Sequence, residues 1–92
     1  MEVILTRHAR QRIHERIPER GVPWVIEQVE HAYEVNGFSR KPPRWAISRR
    51  LPRGSDIRFV KSSDPSALIV LQRQDEFCKV ITVIVPSREA AA

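Results

Sequence analysis

The spacing of apolar residues changes once along this chain, near Asn36–Gly37, and that change restricts the fold more than any other feature. Before it, apolar residues recur at helical spacing; after it, short apolar or alternating runs are separated by turns. A helical period followed by strand periods is typical of an α+β domain. The chain has 92 residues, too few for two hydrophobic cores, so residues 1–92 are predicted to form one domain.

Two helices are predicted before the change of period. A short strand over residues 2–5 (EVIL) leads to Thr6, which is predicted to cap the first helix. This helix is predicted over residues 7–17, and Pro18 ends it. Pro23 suits the first turn of the second helix. The predicted buried positions are Ala9, Ile13 and Ile17 in the first helix, and Val22, Ile26, Val29 and Tyr33 in the second.

Four strands are predicted after the change. They cover RWAISRRL (44–51), IRFVK (57–61), ALIVLQ (67–72) and FCKVITVIV (77–85). The third is apolar on both faces, which predicts a central strand. The predicted architecture is a short N-terminal strand and two helices packed on one face of a mainly antiparallel sheet of four to five strands.

The formal net charge of +5 is concentrated in two segments. Residues 40–58 contain seven basic side chains and one acidic one, and residues 7–20 contain five arginines and two glutamates. Arginine outnumbers lysine thirteen to three, and a guanidinium group binds phosphate at two points. This pattern predicts an anionic partner such as RNA, and a genome-wide bias toward arginine is the alternative.

Other kinds of site are not indicated. The histidines lack metal-ligand spacing and Cys78 stands alone, so we expect no metal and no cofactor. Cys78 lies in an apolar run, where a thiol is a poor nucleophile, and a single cysteine fits a reducing compartment. No apolar run is long enough to cross a membrane, and the N-terminus does not resemble a signal peptide. We therefore expect a cytoplasmic protein without a membrane partner.

The first helix carries a row of polar side chains beside its buried face. His8, Arg12 and Arg16 recur every four residues and therefore lie close together on the helix surface. Glu15 is spaced to pair with Arg12 or Arg16. Arg7 and His8 lie in the first turn, where the helix dipole disfavours cations and favours a bound anion. The row predicts an anion site, and the alternative is a solvated basic surface.

Two aromatic residues lie near further arginines. Trp45 and Phe59, beside Arg44, Arg49 and Arg58, are consistent with a surface on which bases stack. The alternative is that both rings fill the core between the helices and the sheet. We favour the alternative, because large aromatic side chains supply much of the apolar surface that a small core buries.

The segment HARQRIHER resembles the H-A-x-x-R-x-x-x-R signature of a small bacterial domain family of unknown function that recurs in toxins. GVPWVIEQV is similar to the second helix of that family, and KVITVIV is similar to its closing strand, with Thr82 at the position of a threonine or serine. The order of elements resembles that of the RelE/ParE-like toxins, in the group that includes barnase and EndoU-type nucleases. Between Arg16 and Gly21 the chain has IPER, so Arg20–Gly21 is an alternative match to the second arginine.

The resemblance implies a metal-independent endoribonuclease toxin that cleaves RNA through its own 2′-OH. It implies catalytic roles for His8, Arg12, Arg16 and Thr82, and an acidic antitoxin as a protein partner. Two alternatives stay open: a non-catalytic nucleic-acid-binding or inhibitor protein, such as a phage-encoded one, and a ParE-like toxin directed at gyrase. The residues predicted to hold flanking phosphates are Arg7, Arg44, Arg49, Arg50 and Arg58.

Overall fold

The computed structural model describes residues 1–47 and 49–86. The fold is α+β, as the change of period predicts. Its elements are β1 (Glu2–Leu5), α1 (Arg7–Arg16), α2 (Gly21–Glu34), a 3₁₀ turn (Arg44–Ala46), β2 (Ile57–Ser63), β3 (Ser66–Arg73) and β4 (Phe77–Ile84). Within the described residues, none of the helices has the length and apolar character that a membrane span requires.

The four strands form one sheet in the order β1-β4-β3-β2. β3 pairs antiparallel with both β2 and β4, and β1 pairs parallel with β4. The prediction of a central strand over residues 67–72 is confirmed, since β3 lies between two partners and residues 67–71 are buried. The sheet is therefore mainly antiparallel, with the short β1 at one edge and β2 at the other.

The two helices cover one face of the sheet, called here the helix face. In α1 the predicted residues Ala9 and Ile13 are buried, and so is Ile17, which follows the last residue of the helix as its C-cap. The Thr6 hydroxyl accepts a hydrogen bond from the Ala9 amide, as expected of an N-cap. In α2 the predicted buried set is partly wrong. The buried residues are Val25, Val29 and Ala32, whereas Val22 and Ile26 are partly buried and Tyr33 is exposed. The small Ala32 allows close packing, and the Tyr33 ring lies instead 5.6 Å from the Arg73 guanidinium.

The opposite face of the sheet, called here the second face, is covered by residues 40–47 and 49–53, which together are called the covering segment. The strand predicted over residues 44–51 is wrong. After two prolines, which remove two backbone donors, the chain forms a 3₁₀ turn in which the Ala46 amide donates to the Pro43 carbonyl at 3.0 Å. Ser48 lies outside the described residues.

The core of the second face explains the two aromatic residues. Phe59 is buried there, and Trp45 packs against the same cluster of apolar side chains. Both rings therefore fill a core, but between the covering segment and the sheet rather than between the helices and the sheet. The cluster consists of Ala46, Ile57, Phe59, Leu68, Val70 and Ile84.

Candidate functional site

Helix α1 lies along an edge of β4 that β1 leaves uncovered. β1 pairs with β4 only as far as Leu5 and Val80. Beyond that point the Thr6 hydroxyl donates to the Ile81 carbonyl at 3.2 Å, and Arg16 Nη1 donates to the Val83 carbonyl at 2.7 Å. These bonds satisfy carbonyl groups that an edge strand would otherwise expose. They also fix the polar row of α1 beside the second half of β4.

A bulge in β4 turns Thr82 toward this row. Leu71 of β3 is paired with Val80, and the next pair is Val70 with Thr82, so Ile81 is an extra residue in β4. Paired residues share a face, and Val70 belongs to the core of the second face. Thr82 therefore also lies on the second face. Bulges commonly redirect a side chain beside a functional site, and this one directs Thr82 into a cleft next to α1.

The cleft has a volume of about 340 Å³. Helix α1, strand β4 and the covering segment each contribute to its walls. We call it the arginine cleft, and its lining residues are His8, Arg12, Arg16, Arg49, Arg50, Pro52, Ile81, Thr82 and Ile84. The four residues for which the resemblance implies catalytic roles, His8, Arg12, Arg16 and Thr82, thus line one space. Two of the five arginines expected to hold flanking phosphates, Arg49 and Arg50, line it as well.

The cleft carries an excess of positive charge. Four arginines line it, and no acidic side chain is among the described lining residues. Glu15 lies beside the cleft, where its carboxylate accepts a hydrogen bond of 2.6 Å from Arg12 Nη1. This bond from Arg12 lowers the pKa of Glu15 below its ordinary value, despite an opposing contribution from desolvation. One carboxylate beside four guanidinium groups leaves the cleft suited to an anion.

Arg12 connects Glu15 to His8. Its Nε donates to His8 Nε2 at 3.4 Å, which is a long hydrogen bond. Nε of Arg12 therefore contacts the imidazole of His8, and Nη1 of the same guanidinium contacts the carboxylate of Glu15. His8 is exposed, so its ring remains accessible to a ligand in the cleft.

Arg16 is a partly buried cation of the cleft. Burial lowers the pKa of Arg16, and the nearby charges of Arg12 and Arg49 lower it further, while Glu15 opposes them. Because the pKa of an arginine is so high, Arg16 stays charged throughout the physiological range. Arg12, Arg16 and Arg49 line the same cleft, so their positive charges act on the same space. Arg16 lines the cleft and is attached to the sheet through the Val83 carbonyl, whereas Arg20 is not among the described lining residues.

Thr82 supplies a hydroxyl at the wall of the cleft. Only 9% of Thr82 is exposed, and within the described residues its side chain makes no hydrogen bond. A threonine hydroxyl at the wall of the cleft is able to donate a hydrogen bond to a ligand oxygen. It could therefore bind a non-bridging oxygen of a phosphate held by the arginines.

The other predicted phosphate contacts do not line this cleft. Arg58 donates to the carbonyl groups of Ser55 and Ile57, both at 2.8 Å, and lines a separate polar hollow with Arg73 and Asp75. Arg7 and Arg44 are exposed and lie outside the set of cleft-lining residues. Arg49 belongs to the covering segment and not to the strand that was predicted over residues 44–51.

Sequence reasoning missed the apolar walls of the cleft. Ile81, Ile84 and Pro52 line it, and none of them carries a chemical signal that marks a site. A bulge leaves no trace in an apolar run such as KVITVIV, so the position of Ile81 was not predictable. Cys78 is buried beside β1, its pKa is raised by desolvation, and it has no part in the cleft. Within residues 1–47 and 49–86, there is no cluster of three metal-ligating side chains.

Comparison of the chain with known protein families, curated proteins and solved structures gives no match. The functional interpretation therefore depends on the chemistry of the arginine cleft.

Proposed function

We propose that this protein is a metal-independent endoribonuclease of the RelE-like toxin type, and that the arginine cleft is its active site. The observation that supports the proposal is the meeting of one imidazole, four guanidinium groups and one hydroxyl in a single cleft. Cleavage of RNA by its own 2′-OH requires a base, positive charge around the phosphorane, and a proton for the leaving oxygen. The groups present match the first two requirements.

Each group has a role in this reaction. As Arg12 turns from His8 to the phosphate, it frees Nε2 of the imidazole. This nitrogen takes the proton of the 2′-OH, whose oxygen attacks phosphorus and forms the cyclic phosphate. The bond between phosphorus and the 5′ oxygen breaks, and that oxygen takes a proton from the imidazolium of His8 or from water. Arg12 and Arg16 bind the non-bridging oxygens, where negative charge increases in the transition state, and Thr82 donates to one of them.

A second function is favoured by one feature of the same cleft. His8 is the one described lining residue of a type that exchanges protons near neutral pH, whereas the reaction uses both a base and an acid. A non-catalytic protein that holds RNA or another nucleic acid needs only the arginines. In either case an acidic protein, such as an antitoxin, is a suitable partner for the cleft and would stabilise the fold by binding it.

The two functions are separated by comparing RNA with fully 2′-O-methylated RNA of the same sequence, both in EDTA. A ribonuclease that uses the 2′-OH binds both and cleaves only the unmodified RNA, leaving 2′,3′-cyclic phosphate ends. Binding of both without cleavage of either supports the non-catalytic function. Cleavage of both oligonucleotides contradicts the proposed chemistry, and binding of neither contradicts both functions.

A further inference from the structure

A second hollow lies directly beside the arginine cleft on the surface of the covering segment. Its volume is about 320 Å³, similar to that of the cleft. Arg49 and Pro52 line both spaces and so form their shared wall. The lining residues of this hollow are Arg40, Pro42, Ile47, Arg49, Leu51, Pro52, Arg53, Gly54, Ile57 and Phe59.

The hollow has a different chemical character from the cleft. Its floor consists of Ile57 and Phe59, which belong to the core of the second face, and Leu51 lies against the same core. Its rim carries Arg40, Arg49 and Arg53, and acidic residues are lacking from the described lining. An apolar floor with a cationic rim suits a flat, aromatic group that has polar edges and is attached to an anion.

Ile47 gives the hollow an exposed apolar lip. Its side chain is 65% exposed, the most of the large apolar residues in the described part of the chain. A single exposed isoleucine is ordinary on a protein surface, but this one lines a hollow that has apolar residues in its floor and arginines at its rim. There it would bury its surface against a ring placed in the hollow.

We propose that the second hollow binds the base of a single-stranded ribonucleotide whose phosphate lies in the arginine cleft. This inference rests on the proposed function, since it assigns the phosphate of the substrate to the cleft. A second phosphate fits the hollow less well, because the apolar floor of the hollow offers no donors to replace the hydration of the phosphate. A nucleobase presents a flat face to Ile47. Its ring acceptors can bind the N–H groups of the rim arginines, and arginine side chains also stack on nucleobases.

The test compares ligands that differ only in the base. Inorganic phosphate, ribose 5-phosphate and adenosine 5′-monophosphate are titrated into the intact protein by calorimetry. None of them contains a phosphodiester bond, so the result does not depend on whether the protein cleaves RNA. We expect the nucleotide to bind about tenfold more tightly than ribose 5-phosphate, which corresponds to about 1.4 kcal/mol.

Two variants test whether the nucleobase binds in the second hollow. Ile47→Ala removes the lip without changing charge and should bring the nucleotide and ribose 5-phosphate close to equal affinity. Val35→Ala is the matched control, because Val35 is similarly exposed but lies away from both spaces. Arg53→Ala, on the rim of the hollow only, should lower nucleotide binding more than phosphate binding.

Three results would overturn the inference: equal binding of the nucleotide and ribose 5-phosphate, binding of neither, or an advantage for the nucleotide that Ile47→Ala leaves intact. If RNA is nevertheless cleaved, the proposed function survives and only the base site is wrong. If the base advantage is found without cleavage, the base site survives in a protein that holds RNA.

Discussion

Arg16 joins helix α1 to the sheet and faces the arginine cleft with the same side chain. Its Nη1 donates to the Val83 carbonyl at 2.7 Å, which uses one of the five N–H groups of the guanidinium. Within residues 1–47 and 49–86, no other N–H group of Arg16 makes a hydrogen bond, so the rest can bind an anion. A cation fixed in this way loses little further freedom when a ligand binds, so its contribution to affinity is larger than that of a mobile surface arginine.

Glu15 competes with a bound anion for Arg12. Replacing it by glutamine removes one negative charge beside the cleft and leaves a neutral amide oxygen, a weaker partner for Arg12, in place of the carboxylate that accepts at 2.6 Å. We expect Glu15→Gln to tighten RNA binding by roughly two- to fivefold, the range of an exposed ion pair, measured by fluorescence anisotropy at low salt. Glu19→Gln is the control, since Glu19 is an exposed acid near the end of α1 that does not line the cleft.

The outcome is contradicted if Glu15→Gln binds RNA no better than Glu19→Gln.

The pH dependence of the stability that Glu15 contributes has a defined sign. Because the pKa of Glu15 is lowered in the folded protein, the Arg12–Glu15 pair stabilises the fold above the ordinary titration range of a carboxylate. That stabilisation is lost as pH falls through the lowered pKa.

At the scale of elements, the site depends on where β1 stops. β1 covers β4 as far as Val80, and α1 covers the next residues of the same edge. Thr6 stands at the junction, where its hydroxyl accepts from the Ala9 amide at 3.0 Å and donates to the Ile81 carbonyl at 3.2 Å. One residue therefore starts the helix and attaches it to the bulge.

Removing this hydroxyl should destabilise the protein and loosen the cleft. We expect Thr6→Ala to lower the free energy of unfolding by about 1–2 kcal/mol, from the loss of the N-cap and of the bond to Ile81. Thr6→Ser keeps the hydroxyl and should retain most of the stability. Urea denaturation measures both variants, and equal losses for alanine and serine would show that the hydroxyl is not what matters.

Elements in which apolar residues recur at a regular spacing were predictable from the sequence. Elements whose conformation depends on contacts between distant residues were not. Ala9, Ile13 and Ile17 defined α1, and the uninterrupted apolar run of β3 defined the central strand. The alternation over residues 44–51 instead led to a wrong strand. Two prolines precede it, and the sheet edge at Phe59 is taken by Ser39, which exchanges backbone hydrogen bonds of 2.8 and 2.9 Å with it. That pairing occurs between distant residues and is not visible in the local pattern.

At the scale of the molecule, the sheet brings two basic segments together. The row on α1 followed from its spacing, and the position of Thr82 from the family resemblance. The sequence did not indicate which arginines of the covering segment join them, because that depends on how the segment crosses the second face. Arg49 and Arg50 line the cleft, whereas Arg58 is held by the carbonyl groups of Ser55 and Ile57.

The central claim is that the cleft cleaves RNA with His8 as its base, and one comparison within α1 tests it. His8 and His14 are both exposed histidines of the same helix, but only His8 lines the cleft. End-labelled RNA is incubated in EDTA with the protein, with His8→Ala and with His14→Ala. The account predicts 2′,3′-cyclic products from the protein and from His14→Ala, and no cleavage by His8→Ala. Cleavage that survives in His8→Ala would contradict it.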